Sequence, residues 1–102
     1  MNTNIVNYVT SLNRRAFTNN TQRALFVLLT ASLNGVNWVS RGSVRVPSAA
    51  ARLRDLRKAE YGSFEVTCKS ARELGRPTTT TYYNLNTNAI SLGQLRRVFE
   101  NV

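Results

Sequence analysis

The stretch VPSAAARLRDLRKAEYGSFEVTCK, residues 46–69, changes its periodicity once, and that change sets the fold class. From Pro47 to Glu60 it is made of strong helix formers, and Pro47 suits a first helical turn, where its missing N–H would have no intrahelical partner. A helix over residues 47–60 is expected, stopped by Gly62. Past Gly62 the residues Phe64, Val66 and Cys68 alternate with Ser63, Glu65, Thr67 and Lys69. That is the two-residue period of a half-buried strand, with Cys68 expected on its apolar side.

Working outward, the polar segment Ser70 to Thr78 contains the breakers Gly75 and Pro77, and the Thr- and Tyr-rich run from Thr79 to Leu85 is a second β-prone stretch. Two strands and a long loop make a hairpin. Tyr82 and Tyr83 point to opposite faces of such a strand, so only one is expected to be exposed. Ser91 followed three residues later by Gln94 fits a reciprocal capping pattern, and Leu92, Leu95, Val98, Phe99 and Val102 form the stripe of a final helix over about 91–101. On the N-terminal side, Ile5, Tyr8, Val9, Leu12 and Ala16 share one face of an opening helix over about 4–17. Thr18 to Thr21 is rich in capping residues and precedes Gln22 to Leu33, whose Ala24, Leu25, Leu28, Leu29 and Leu33 give a second apolar face, closed by Asn34-Gly35. Between Val36 and Val46 the pattern is weak: Trp38 and Val39 fit a short buried helix, and Arg41-Gly42-Ser43 reads as a turn. Trp38, Phe17 and Phe26 are expected in the core.

The composition narrows the function. The chain has 102 residues, a net charge of +9, one Cys and no His. One cysteine excludes an internal disulfide or a cysteine-based zinc cage, and the lack of imidazole removes the commonest metal ligand and general base. Asp55, Glu60, Glu65, Glu73 and Glu100 are scattered beside bases, and the glycines are isolated, so no acid/base dyad or phosphate loop is formed. The expectation is a binding protein without catalysis, cofactor or metal. The longest apolar run, Ala24 to Leu29, has six residues, against the ~18 that span a bilayer. The opening MNTNIVNYV lacks a basic segment followed by an apolar stretch, so no membrane partner and a cytoplasmic location are expected.

So strong a positive charge concentrates polyanions near the protein, which makes nucleic acid the first partner to consider. Residues 41–76 hold more than half of the excess, and twelve of the fourteen bases are arginines, whose planar fork suits phosphates and guanine edges.

The order helix, weak helix or turn, helix, then hairpin is that of a winged helix-turn-helix. Residues 46–58, followed by a Tyr-Gly turn and the strand Phe64 to Cys68, resemble small helix-turn-helix proteins of tailed bacteriophages and prophages, whose recognition helix ends in a similar A-R-I-x-D-L-R-K pattern before a glycine and a short wing. The resemblance covers about residues 21–85. It implies an α+β, mostly α fold in one domain, 1–102: a winged helix-turn-helix with additional N- and C-terminal helices. It also implies a transcriptional regulator that binds double-stranded DNA, usually as a dimer. The apolar stripes of the terminal helices suit either a two-fold interface or the chain's own core.

Helix phase gives the reading face separately. At 100° per residue, Ala49, Leu53 and Leu56 fall in one sector, and Ser48, Ala51, Arg54, Asp55 and Lys58 fall opposite. In a winged helix-turn-helix that outer face enters the major groove. Ser48, Ala51 and Arg54 are then base-edge candidates, and Asp55 either accepts from a cytosine amino group or pairs with Lys58 or Arg52 one turn away. Arg41, Arg45, Arg52, Arg57 and Lys58 are candidate phosphate contacts. Lys69, Arg72 and Arg76 form the wing, suited to flanking phosphates or a narrow minor groove. Two other partners fit the same basic scaffold: an acidic host protein or nucleoprotein complex inhibited by docking, and structured RNA.

Overall fold

The computed structural model describes residues 1–101; Val102, read above as part of the last helical stripe, lies outside the described residues. Helix α1 (Thr3–Ser11) starts where the Asn2 side chain accepts the Ile5 amide at 2.9 Å, and it buries Ile5 and Val9, one turn apart. The expected helix over 4–17 is cut short. Leu12 is extended, and the Asn13 side chain accepts the Arg15 amide at 3.0 Å to start a separate 3-10 turn, Arg14–Ala16, which leaves Ala16 exposed. A short amide side chain that satisfies the backbone locally competes with helix continuation.

Helix α2 (Asn20–Leu33) is capped by Asn19, which accepts the Gln22 amide at 2.9 Å. Its inner residues Ala24, Leu25, Leu28 and Leu29 are buried. Gln22 is buried too, and its side-chain amide has partners at both ends: it accepts from the Thr18 amide at 2.6 Å and donates to the Val98 carbonyl at 2.9 Å. Asn34-Gly35 ends the helix as expected. With Gly35 at φ +79°, its amide reaches the Ser32 carbonyl at 3.0 Å and the Val36 amide reaches Ala31 at 2.8 Å.

The aperiodic segment 36–46 holds two elements too short to show a period, strand β1 (Val39–Ser40) and helix α3 (Arg41–Val44). Val39 is thus in a strand instead of a short helix, and the expected turn at Arg41 to Ser43 is a single helical turn that buries Val44. Helix α4 (Ala49–Asp55) follows across a tight link in which Arg45 (φ 55°) and Ser48 (φ 53°) are both left-handed.

The expected helix over 47–60 is therefore only seven residues long. Left-handed Ser48 keeps Pro47 outside it. At the other end Lys58 is extended, a 3-10 turn forms at Ala59–Tyr61, and the Phe64 amide returns to the Leu56 carbonyl at 2.7 Å. That return brings Phe64 into the core. Gly62 permits it: at φ +100°, a Cβ would lie 3.0 Å from the Phe64 ring and 3.3 Å from the Gln94 carbonyl oxygen. Gly62→Ala is expected to lower stability by about 1–3 kcal/mol, through left-handed strain and this contact. The reading is a lower denaturant midpoint at constant m-value; an unchanged midpoint would show that the turn relaxes freely.

Strands β2 (Val66–Ser70) and β3 (Thr81–Leu85) form the expected hairpin, antiparallel, with Val66 opposite Leu85 and Ser70 opposite Thr81. Strand β1 pairs with the other edge of β3, Val39 opposite Tyr83, so the sheet order is β1-β3-β2. The loop between β2 and β3 is ordered by its own backbone: the Ala71 amide bonds Thr80, the Arg76 amide bonds Ala71, and Ser70 and Glu73 exchange side-chain to amide bonds. Cys68 is exposed, contrary to its place in the alternation, because only the start of β2, at Val66, lies over the core. Both tyrosines are buried. Tyr83 joins the core, while Tyr82, on the other face, is covered by the Arg76 guanidinium 4.5 Å from its ring centroid.

Helix α5 (Leu92–Phe99) begins with the expected reciprocal cap between Ser91 and Gln94, and the Gln94 side chain also donates to the Gly62 carbonyl at 2.9 Å. Among the described residues the result is an α+β, mostly helical fold of five helices and one three-stranded antiparallel sheet, with a core running from Ile5 to Val98. No helix among the described residues is long and apolar enough to cross a membrane.

The terminal helices are fastened to each other and to this core. Ile5, Val9, Leu95 and Val98 are all buried within the chain, so these members of the two stripes pack inward on the core. Tyr8 donates its hydroxyl proton to Glu100 at 2.5 Å, and Arg96 lies 3.7 Å from the same carboxylate. Burial, then the bond and charge of Glu100, push the Tyr8 pKa from 10.0 up to about 12. The raised value means that the contact stabilises fully below the unfolded tyrosine pKa and is lost as pH climbs from about 10 to about 12. In this window the parent is expected to lose more stability than Tyr8→Phe; equal losses would mean that the bond does not form.

Candidate nucleic-acid interface

Ala49, Leu53 and Leu56 anchor α4 and the turn after it, at 9%, 0% and 0% exposure, so the phase read from sequence holds for the buried side. On the opposite side Ser48, Arg54 and Lys58 are exposed, while Ala51 and Asp55 are half-buried. Ser48 is not a helical residue. It is the left-handed residue before α4 and makes no side-chain capping bond.

The cations divide by how they are held. Asp55 pairs with Arg52 at 3.2 Å and with Lys58 at 3.1 Å, which holds these three side chains together. Arg52 Nε is shielded without an acceptor, so this guanidinium lies toward Asp55 and the helix surface. Arg57 donates from Nε to the Val66 carbonyl at 2.7 Å and ties the end of the α4 segment to the first residue of β2. Its first role is to fix the hairpin against the helix. Arg54 and Arg72 are exposed and form no ion pair among the described residues.

Arg41 and Arg45 lie on the edges of a groove of about 550 Å³ that leads onto α4, with Pro47, Ser48 and Ala50 between them. Sequence phase did not single out Ala50 or Gly42, which line the same groove. In the wing, Lys69 sits 5.4 Å from the ring centroid of half-buried Trp38, and Arg76 covers Tyr82. Both are held by cation–π contacts that leave donors for a ligand. Arg72 lies in the first turn of the loop, where its carbonyl accepts the Gly75 amide at 3.1 Å.

The sequence-predicted residues therefore fall into three groups: Arg41, Arg45 and Ser48 on one groove, Arg54 on the exposed side of α4, and Lys69, Arg72 and Arg76 on the wing. Arg14, Arg15 and Arg23 were missed, and they meet Arg45 at a neighbouring cavity. The only signal in sequence was the Arg14-Arg15 pair after the first helix. Among the described residues no cluster of three or more His, Cys, Asp or Glu side chains is placed to hold a metal ion. Comparison with protein-family models, curated proteins and solved structures finds nothing that matches the chain.

Proposed function

We propose that the chain is a winged helix-turn-helix protein that binds double-stranded DNA as a small transcriptional regulator. One observation carries this reading. From α2 onward the elements run helix, strand, helix, helix, strand, strand, with sheet order β1-β3-β2, and the exposed side of the third of these helices carries cations and no uncompensated acid. In such an arrangement the helix before the hairpin lies in the major groove, and the hairpin loop reaches the adjoining backbone. Ser48, Ala51 and Arg54 take the base edges, with Arg54 offering two parallel donors to a guanine. Arg41, Arg45 and Arg72 hold phosphates, and Arg76 and Lys69 add wing contacts. Asp55 neutralises part of the Arg52 and Lys58 charge and positions both side chains.

Selection of bound duplexes from a random pool tests this proposal. An enriched motif a few base pairs long is expected for one copy of α4, and a pool that leaves selection unenriched would contradict a base-reading role. Preferential retention of structured RNA, or capture of an acidic protein with no duplex retardation, would replace the reading with one of the other two partner classes.

A further inference from the structure

A cavity of about 360 Å³ opens between the N-terminal segment, α2 and the α3–α4 link. Its apolar lining comes from Phe17, Phe26, Val27, Val44 and Val46. Phe17 and Phe26 meet edge to face with centroids 5.2 Å apart, and Phe17 is also held 5.3 Å from Phe99, so this wall is fixed.

Four arginines, Arg14, Arg15, Arg23 and Arg45, line the same cavity, and no acidic residue does. Arg23 is set in place by donating to Asn20 at 3.1 Å and to the Phe17 carbonyl at 3.1 Å, and Arg14 lies 5.8 Å from the Phe26 ring centroid. None of the four forms an ion pair among the described residues. Four like charges around one open cavity repel one another, and an anion bound there relieves that repulsion.

We propose that this cavity binds a small organic anion. An aromatic or acyl body rests on Phe17, Phe26 and Val27, and a carboxylate or phosphate ester meets the arginines. Bare phosphate would leave the apolar wall unused, and a neutral hydrocarbon would leave the four guanidinium charges without a counter-charge. The volume lies at the small end of the ~300–1,000 Å³ typical of ligand sites, which fits a single-ring or medium-chain compound. Arg45 borders both this cavity and the groove beside α4, so a ligand that engages Arg45 competes with a duplex phosphate for the same side chain. The site itself does not depend on duplex binding.

Amide chemical-shift titration of the full chain with phenyl phosphate, inorganic phosphate and benzyl alcohol tests the proposal. Phenyl phosphate is expected to shift residues 14–17, 26–27 and 43–46 saturably, with Kd at or below ~1 mM and at least ~10-fold tighter than either control. Arg15→Glu, an exposed substitution, is expected to weaken it at least ~10-fold at unchanged Tm. Equal binding of inorganic phosphate would overturn the proposal and leave a plain phosphate surface of the kind a nucleic-acid backbone uses. Equal binding of benzyl alcohol, or no saturable shifts, would overturn it as well.

Discussion

Leu53→Ala is expected to lower stability by about 2–5 kcal/mol, because a fully buried leucine loses both its transfer free energy and its packing. Leu53 lies on α4, which packs on α2, in the same cluster as Leu25, Leu29 and Leu56. A domain of this size has about 5–15 kcal/mol in total, so the loss is a large fraction, seen as a Tm lower by about 8 °C or more. The experiment also bears on function, since the outer face that carries Arg54 is set by the buried sector of Ala49, Leu53 and Leu56. A loss under about 1 kcal/mol would place Leu53 outside a tight core and remove the basis for the proposed reading face.

Arg54→Ala is expected to cost about 1–3 kcal/mol on the selected duplex, roughly 5- to 150-fold in affinity, with little change on random duplex. Arg54 is exposed on α4, forms no ion pair among the described residues, and lies outside the buried sector of Ala49, Leu53 and Leu56. Losing a fork that reads a base edge removes discrimination, whereas losing a phosphate contact weakens every sequence alike. The companion variant Arg41→Ala is expected to do the second. Equal weakening on both duplexes by Arg54→Ala would make Arg54 a backbone contact and remove the major-groove assignment.

Much of the fold was legible because its signals were local. Asn34-Gly35 marked the end of α2, Ser91 and Gln94 marked the start of α5, and alternation marked the hairpin. The failures share a physical cause, which is that tertiary contacts override a local preference. A two-residue strand such as β1 has no period of its own, and only pairing with β3 defines it. Residues 56–60 have helical propensity, yet the chain leaves the helix there so that Phe64 can bond back to Leu56 and fill the core. Cys68 follows the alternation, but β2 outruns the core beneath it. At the candidate site the outward face was readable from Ala49, Leu53 and Leu56. The arginine-lined cavity was not, because its parts come from positions 14–27 and 43–46, and no sequence window contains both.

The most direct test of duplex binding is affinity for a random duplex, measured by fluorescence anisotropy across salt concentration. Arg41, Arg45 and Arg72 supply three exposed guanidinium groups for phosphates, so about three released counterions and a slope of log K against log salt near −2.7 are expected. Between about 50 and 200 mM salt this is a loss of roughly fortyfold. Binding confined to millimolar concentrations at low salt, with a flat salt dependence, would contradict the proposal.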